Sequence, residues 1–264
     1  MQSGRSEMWL RPRKGVMTKT KVLFVAATPL GTTPLRIDEE IRAITARLRA
    51  TEYRDSLVLT SAWAARVDDL LQLLNEHKPH IVHFSGHGAD DGRIMLVDEH
   101  GSPKRVPTRA MRALFSALRD NIRLVVLNAC YSTSQARAVA DIVGCAVGMR
   151  STVPDAAATI FAASFYCAIG FGRSVAEAFK QGTAALSLDG IDREAKPRLF
   201  AARHVEPAEL ILVNRALQTS STTRAGCEVG SSNDGIDELV AILRHRADQM
   251  LDSLSSHFKH DPMG

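Results

Sequence analysis

Two stretches of this 264-residue chain hold side chains that could carry out nucleophilic chemistry together: HFSGHG at 83–88, with His87, and NACYS at 128–132, with Cys130. A cysteine attacks a carbonyl as its thiolate, so it needs a base to remove the thiol proton and donors to hold the oxyanion that follows. His87 is suited to take that proton and later give it to a leaving amine. The backbone N–H groups of Gly88 and Cys130 are candidate oxyanion donors, because glycine permits the tight turn and close backbone approach such a hole requires. Each residue also has a plainer reading. A histidine can sit buried with its Nδ1 on a loop carbonyl, and a cysteine is commonly an inert core thiol. Position decides between these readings.

The elements that would position them alternate. KVLFVAA (21–27), SLVLTSA (56–62), HIVHFS (80–85), RLVVLNA (123–129), CAVGM (145–149) and ELILVN (209–214) read as strands. Between them lie helical patterns at 35–49, 66–77, 108–120, 133–143, 155–170 and 174–188, the first presenting Leu35, Ile37, Ile41, Ile44 and Leu48 on one face. Residues 93–107 read as a small hairpin turning at 99–102, and Thr108 as the cap of the helix after it. Buried strands alternating with amphipathic helices predict an α/β fold, a mostly parallel sheet covered on both faces. Such sheets place ligands at the carboxyl ends of their strands. His87 follows one strand there and Cys130 the next apolar one.

Composition bounds the rest. With 45% hydrophobic and 23% charged residues, the chain can bury a sizeable core. The first 16 residues hold four of the 33 basic residues and one of the 29 acidic ones, so the body carries 29 against 28 and is nearly neutral. A basic stripe with interleaved aromatics is absent, which argues against nucleic acid. No stretch is apolar enough for a signal peptide or a membrane span. The four cysteines, at 130, 145, 167 and 227, show neither metal spacing nor a paired framework, and point to a reducing, cytoplasmic setting. His83 and His87 have the i,i+4 spacing of a metal pair, but on a strand and its turn that spacing does not align two ligands. His83 is read as a support behind the dyad. Gly31, Thr32 and Thr33 lack the spacing of a phosphate loop, so nucleotide binding is rejected.

The stretches HFSGHG (83–88) and VVLNACYS (125–132), in this order, resemble the paired motifs of CHAT-domain proteins, the bacterial caspase- and separase-like cysteine peptidase group. The resemblance runs from KVLFVAATPLGTTPLRIDEE at 21–40 to the region 147–179, and covers roughly residues 20–213. It implies a caspase-hemoglobinase three-layer sandwich, His87 and Cys130 as catalytic dyad, no metal and no organic cofactor. It also implies a protein or peptide substrate bound as an extended strand beside the sheet edge, and a setting in bacterial defence or regulated proteolysis.

Asp155 has two readings that stay open. In separase-like relatives an acidic residue at the matching place lines the pocket for a basic P1 side chain, whereas an Asp before AAATIF is also a good helix N-cap. Arg150 is near enough to serve the opposite preference, for an acidic P1. Asn128 and Ser132 flank the nucleophile and are candidates for shaping the turn or the pocket.

The expected organisation is a basic extension at 1–19, a peptidase domain at 20–214, a Ser/Thr/Gly-rich linker at 215–234 and an amphipathic helix within 235–264. That helix (235–258) has an apolar stripe that needs a partner, by docking, self-association or binding a regulator. Arg215 and Arg224 in the linker are candidate processing sites. The rival to an endopeptidase is a catalytically inactive scaffold that acts as a protein-interaction module through this helix.

Overall fold

The computed structural model describes residues 19–191, 193 and 195–213. The amino-terminal extension, the linker with Arg215, Arg224 and Cys227, and the helix expected at 235–258 lie outside the described residues.

Among the described residues the strands are β1 (Thr20–Ala27), β2 (Leu57–Ala62), β3 (Ile81–Gly86), β4 (Met95–Val97), β5 (Pro103–Arg105), β6 (Leu124–Asn128), β7 (Cys145–Met149) and β8 (Pro197–Ala201). Six of them form one sheet in the order β2-β1-β3-β6-β7-β8, and the first five are parallel. β4 and β5 make a separate antiparallel hairpin, with Asp98 accepting the N–H groups of His100 (2.9 Å) and Ser102 (2.7 Å) across its turn. β3 and β6 are buried at every position, as continuous apolar runs in the middle of a two-sided sheet must be. β2 lies at an edge and is only partly covered.

Helices α1 (Ile37–Arg49), α5 (Asp155–Gly170) and α6 (Val175–Leu188) pack on one face; α2 (Val67–His77), α3 (Thr108–Ala117) and α4 (Thr133–Val143) pack on the other. Two apolar cores result, one around Phe24, Ile44, Val126, Phe161 and Phe165, the other around Leu23, Phe84, Leu96, Phe115 and Val125. This is the three-layer α/β sandwich the sequence predicts. Among the described residues no helix is long and apolar enough to cross a membrane.

Two local expectations are corrected. The last strand is not ELILVN: among its described residues, 209–213, only Ile211 forms a bridge, to Ser174. The sixth strand of the sheet is PRLFA, antiparallel to β7, with Pro197 opening it where an edge strand tolerates a missing N–H. Thr108 is the first residue of α3, and Pro107, fixed in an extended conformation, occupies the cap position.

Candidate active site

The register brings the two chemical residues together. Ser85 of β3 pairs with Asn128 of β6, and two residues further on the chains reach His87 and Cys130. Both are half-buried and line one open cleft at the carboxyl edge of the sheet, together with Leu35, Arg36, Ile37, Glu40, Asn128, Val153, Asp155 and Ala158. The sheet runs outward from β1 to β2 and restarts on the other side of β1 with β3, so this edge is also where strand order reverses.

His87 is oriented by the backbone. Its Nε2 lies 2.9 Å from the carbonyl oxygen of Thr33. A carbonyl only accepts, so Nε2 carries the ring proton and Nδ1 keeps the lone pair that can take a proton from sulfur. The Thr33 loop is itself held: the N–H and Oγ1 of Thr32 donate to the Pro29 carbonyl at 3.3 and 2.6 Å, and the N–H of Leu30 donates to the Gly101 carbonyl at 2.8 Å. The stretch at 31–33 thus fixes the orientation of the His87 ring.

Cys130 sits on a sharp turn. Tyr131 adopts φ of 55°, unusual for a non-glycine residue, and its N–H donates to the Ser151 carbonyl at 3.2 Å. The N–H of Val153 donates to the Cys130 Sγ at 3.4 Å, a contact that strengthens as sulfur gains negative charge. Gly88 runs against the backbone of Cys130: a Cβ there would stand 1.9 Å from the Cys130 carbonyl oxygen. Among the described residues no hydrogen bond of the surrounding loops uses the N–H of Gly88 or of Cys130.

Several expectations about the flanking residues change. Ser132 does not line the cleft. It is fully buried, its Oγ directed at the carbonyls of Leu127 (3.0 Å) and Ala129 (2.8 Å) and accepting the Met149 N–H at 3.0 Å. It ties the turn at Cys130 to β7, the turn-shaping alternative for this residue. Arg150 is exposed and outside the cleft lining, and its backbone N–H donates to the Lys196 carbonyl. Asp155 does line the cleft, but it is the first residue of α5 and not its cap; Pro154 is the cap, and the Asp155 carboxylate accepts the Arg36 N–H at 3.1 Å. His83 has no ring nitrogen free for a metal, because Glu40 and Tyr166 occupy both. Among the described residues no group of three or more His, Cys, Asp or Glu side chains is arranged to hold a metal ion.

Residues 21–209 match the CHAT domain. The chain belongs to the CHAT-domain family. Among curated proteins this CHAT chain is similar to a "Roc-COR-CHAT protease" from an unknown prokaryotic organism, 23% identical over 176 residues. It is also similar to a "Probable protease" of Gillisia limnaea, 22% identical over 154 residues. These alignments cover 63% and 58% of this chain but only 16% and 27% of the relatives, so the CHAT chain spans a small part of the length of either. Among solved structures, a secreted C11 cysteine protease from Bacteroides thetaiotaomicron, in complex with an irreversible peptide inhibitor, matches with a TM-score of 0.45 at 10% identity. That match covers 63% of this chain and 59% of the other.

One residue of the CHAT cleft has no counterpart in the sequence reading. Glu40 of α1 is buried beneath it, accepting hydrogen bonds from Asn128 Nδ2 (2.6 Å), His83 Nε2 (2.9 Å) and Ser85 Oγ (2.5 Å). His83 stacks on Phe24, ring centroids 4.9 Å apart, and its Nδ1 meets the Tyr166 hydroxyl at 3.2 Å. In sequence Glu40 reads as one of three acids in the first turn of a helix, the usual place for solvated carboxylates. The available signal is its spacing: with Ile37, Ile44 and Leu48 it falls on the buried stripe.

Proposed function

We propose that this chain is a cysteine endopeptidase in which Cys130 is the nucleophile and His87 the general base and acid. The observation that carries the reading is the pairing of Ser85 with Asn128, from which His87 and Cys130 open onto one cleft. His87 Nδ1 takes the proton from Sγ, and the thiolate adds to the scissile carbonyl carbon. The N–H groups of Gly88 and Cys130 receive the oxyanion. When it collapses, the C–N bond breaks and the amine leaves with the proton from Nδ1. Water then gives a proton to the freed Nδ1 and adds to the thioester, releasing the acid and restoring the thiol. Thr33, through its carbonyl, keeps the ring turned so that one nitrogen serves every step.

The substrate is a protein or peptide lying extended across the cleft, and the finer proposal is cleavage after a basic residue. Processing of the chain's own linker after Arg215 or Arg224 would follow from that preference. Neither the partner that activates the domain nor a role in defence is needed for this chemistry. The test is a peptide-library cleavage profile run with the wild type and Cys130→Ala. Cleavage by the wild type alone supports the reading, and equal cleavage by both, or none by either, removes it.

A further inference from the structure

The loop that turns the His87 ring has little packing of its own. Residues 28–36, between β1 and α1, are mostly exposed, Leu30 at 71% and Thr33 among them. Thr33 precedes Pro34, which favours an extended backbone before it, so the direction of its carbonyl follows from where the loop is held. Pro29 to Thr32 form a turn inside the loop. The Thr32 N–H donates to the Pro29 carbonyl at 3.3 Å, and Gly31 has φ of 74°, the positive value a type II turn needs at its third residue. The loop is tied to the body toward both ends. The Arg36 N–H donates to Asp155 at 3.1 Å, and the Leu30 N–H to the Gly101 carbonyl at 2.8 Å.

Gly101 lies at the tip of the β4–β5 hairpin, and Asp98 fixes that tip. Its Oδ1 accepts the N–H groups of His100 and Ser102, its own N–H donates to the Ser102 carbonyl at 2.9 Å, and its carbonyl accepts the Gly101 N–H at 3.1 Å. The Leu30 side chain lies over Gly101, where an added Cβ would stand 2.6 Å from Leu30 Cδ1. The base of the same hairpin starts on His87 itself, because the Met95 N–H donates to the His87 carbonyl at 2.9 Å. One hairpin therefore grips the His87 backbone at its base and, from its tip, holds the loop that turns the His87 ring.

We propose that the β4–β5 hairpin is a brace that positions His87, with Asp98 and the Gly101 carbonyl as its working parts. Asp98 is a positioning residue. It lies outside the cleft lining and acts on His87 only through Gly101, Leu30 and Thr33. The effect on rate rests on the endopeptidase reading; the effect on the ring does not.

Leu30→Pro is the most selective variant. Proline suits the second position of the turn at 29–32 and has no N–H, so the turn stays and the tie to Gly101 goes. Asp98→Ala unties the hairpin tip, and Asp98→Asn keeps an oxygen acceptor there. Glu99→Ala is the control, at a side chain of the same tip that is 80% exposed. Each is followed by 15N NMR of the His87 ring and by steady-state cleavage of a substrate taken from the peptide library. The wild type should show one ring N–H, on Nε2, protected from exchange with water. Leu30→Pro and Asp98→Ala should lose that protection. Their kcat should fall roughly tenfold, a part of the about 10²–10⁴-fold that general base catalysis contributes, with KM within about twofold. Asp98→Asn and Glu99→Ala should match the wild type. Lower stability alone would not move the ring proton of the folded protein. Should Leu30→Pro or Asp98→Ala not fold, the other decides. An unprotected ring proton in the wild type, or a protected one with unchanged kcat in folded Leu30→Pro, overturns the proposal. So does a rise in KM at constant kcat, or an Asp98→Asn as impaired as Asp98→Ala. Protection lost in both variants, with no cleavage by the wild type, supports the brace and counts against the peptidase.

Discussion

Gly88→Ala is the smallest change that should disable this site, and its size can be worked from the backbone. The added Cβ would lie 1.9 Å from the Cys130 carbonyl oxygen, 2.8 Å from its carbon and 2.9 Å from its nitrogen, against 3.4 Å for ordinary contact. The two segments must therefore separate by about 1.5 Å, and no flexible side chain is there to absorb it. Gly88 is pinned by its neighbours, since the Ala89 N–H donates to the Arg93 carbonyl at 2.8 Å and the Met95 N–H to the His87 carbonyl at 2.9 Å. Cys130 is pinned by Tyr131 and Ser132. The gap opens between base and nucleophile, where a misplacement of about 1 Å can cost roughly 100-fold in rate. We expect kcat/KM on a peptide substrate to fall by at least that factor. Overpacking of roughly 1–3 kcal/mol should also lower the melting temperature by several degrees. Gly190→Ala is the control, because nothing lies within 4 Å of its Cβ position, while its φ of 72° strains any side chain placed there. It should lose stability without losing kcat/KM. A folded Gly88→Ala protein within twofold of wild-type kcat/KM would refute the close approach on which the oxyanion assignment depends.

Ser132→Ala strands the buried Met149 N–H and should cost about 1–3 kcal/mol in urea denaturation; an unchanged midpoint would contradict its assignment as a structural tie. The Cys145 thiol is pushed up to about 12, by burial first and then by the charge of Glu206. At pH 8 only about one such thiol in ten thousand is ionised, so iodoacetamide should modify Cys130 in the folded protein and leave Cys145 untouched in a peptide map. Modification of Cys145 at a similar rate would contradict its burial. His80 is held below its ordinary range by burial, then by the charges of Arg123 and Lys21, and its Nδ1 accepts the Lys21 N–H at 3.0 Å. Its neutral form is the one the fold favours, while the unfolded chain takes up a proton near pH 6.5. Stability from this group is therefore full above that pH and falls as pH drops toward the folded-state value. His80→Gln should lose less stability than wild type between pH 7.5 and 5, as followed by thermal melts; equal losses would contradict the assignment.

The parts of this molecule legible in sequence are those set by side-chain periodicity and strand ends. The central strands β3 and β6 are buried throughout, so their hydrophobic runs announce them, and the residues that follow fall at the site. β8 escapes such a reading because an edge strand of five residues opening on proline, half exposed, has little periodic signal. ELILVN is more apolar and yet, among its described residues, pairs only at Ile211. The Thr33 carbonyl is invisible in sequence because the group that orients His87 is backbone, which any residue could supply. Ser132 illustrates a further limit. In sequence its hydroxyl serves the turn or the pocket equally well, and only its three-dimensional partners show that the turn consumes it. Glu40 is hidden for the opposite reason, as an acid among acids that belongs to the core side of its helix.

The central claim, a Cys130 nucleophile activated by His87, is tested most directly by covalent labelling. Wild type, Cys130→Ala and His87→Ala are each incubated with peptidyl acyloxymethyl ketones bearing Arg, Lys, Leu or Asp next to the ketone, and intact masses are followed over time. The account predicts a single adduct on wild type, mapped to Cys130, none on Cys130→Ala, and labelling of His87→Ala slowed by roughly 100-fold or more. No adduct with any of the four, an adduct on another cysteine, or equal rates with and without His87 would contradict it.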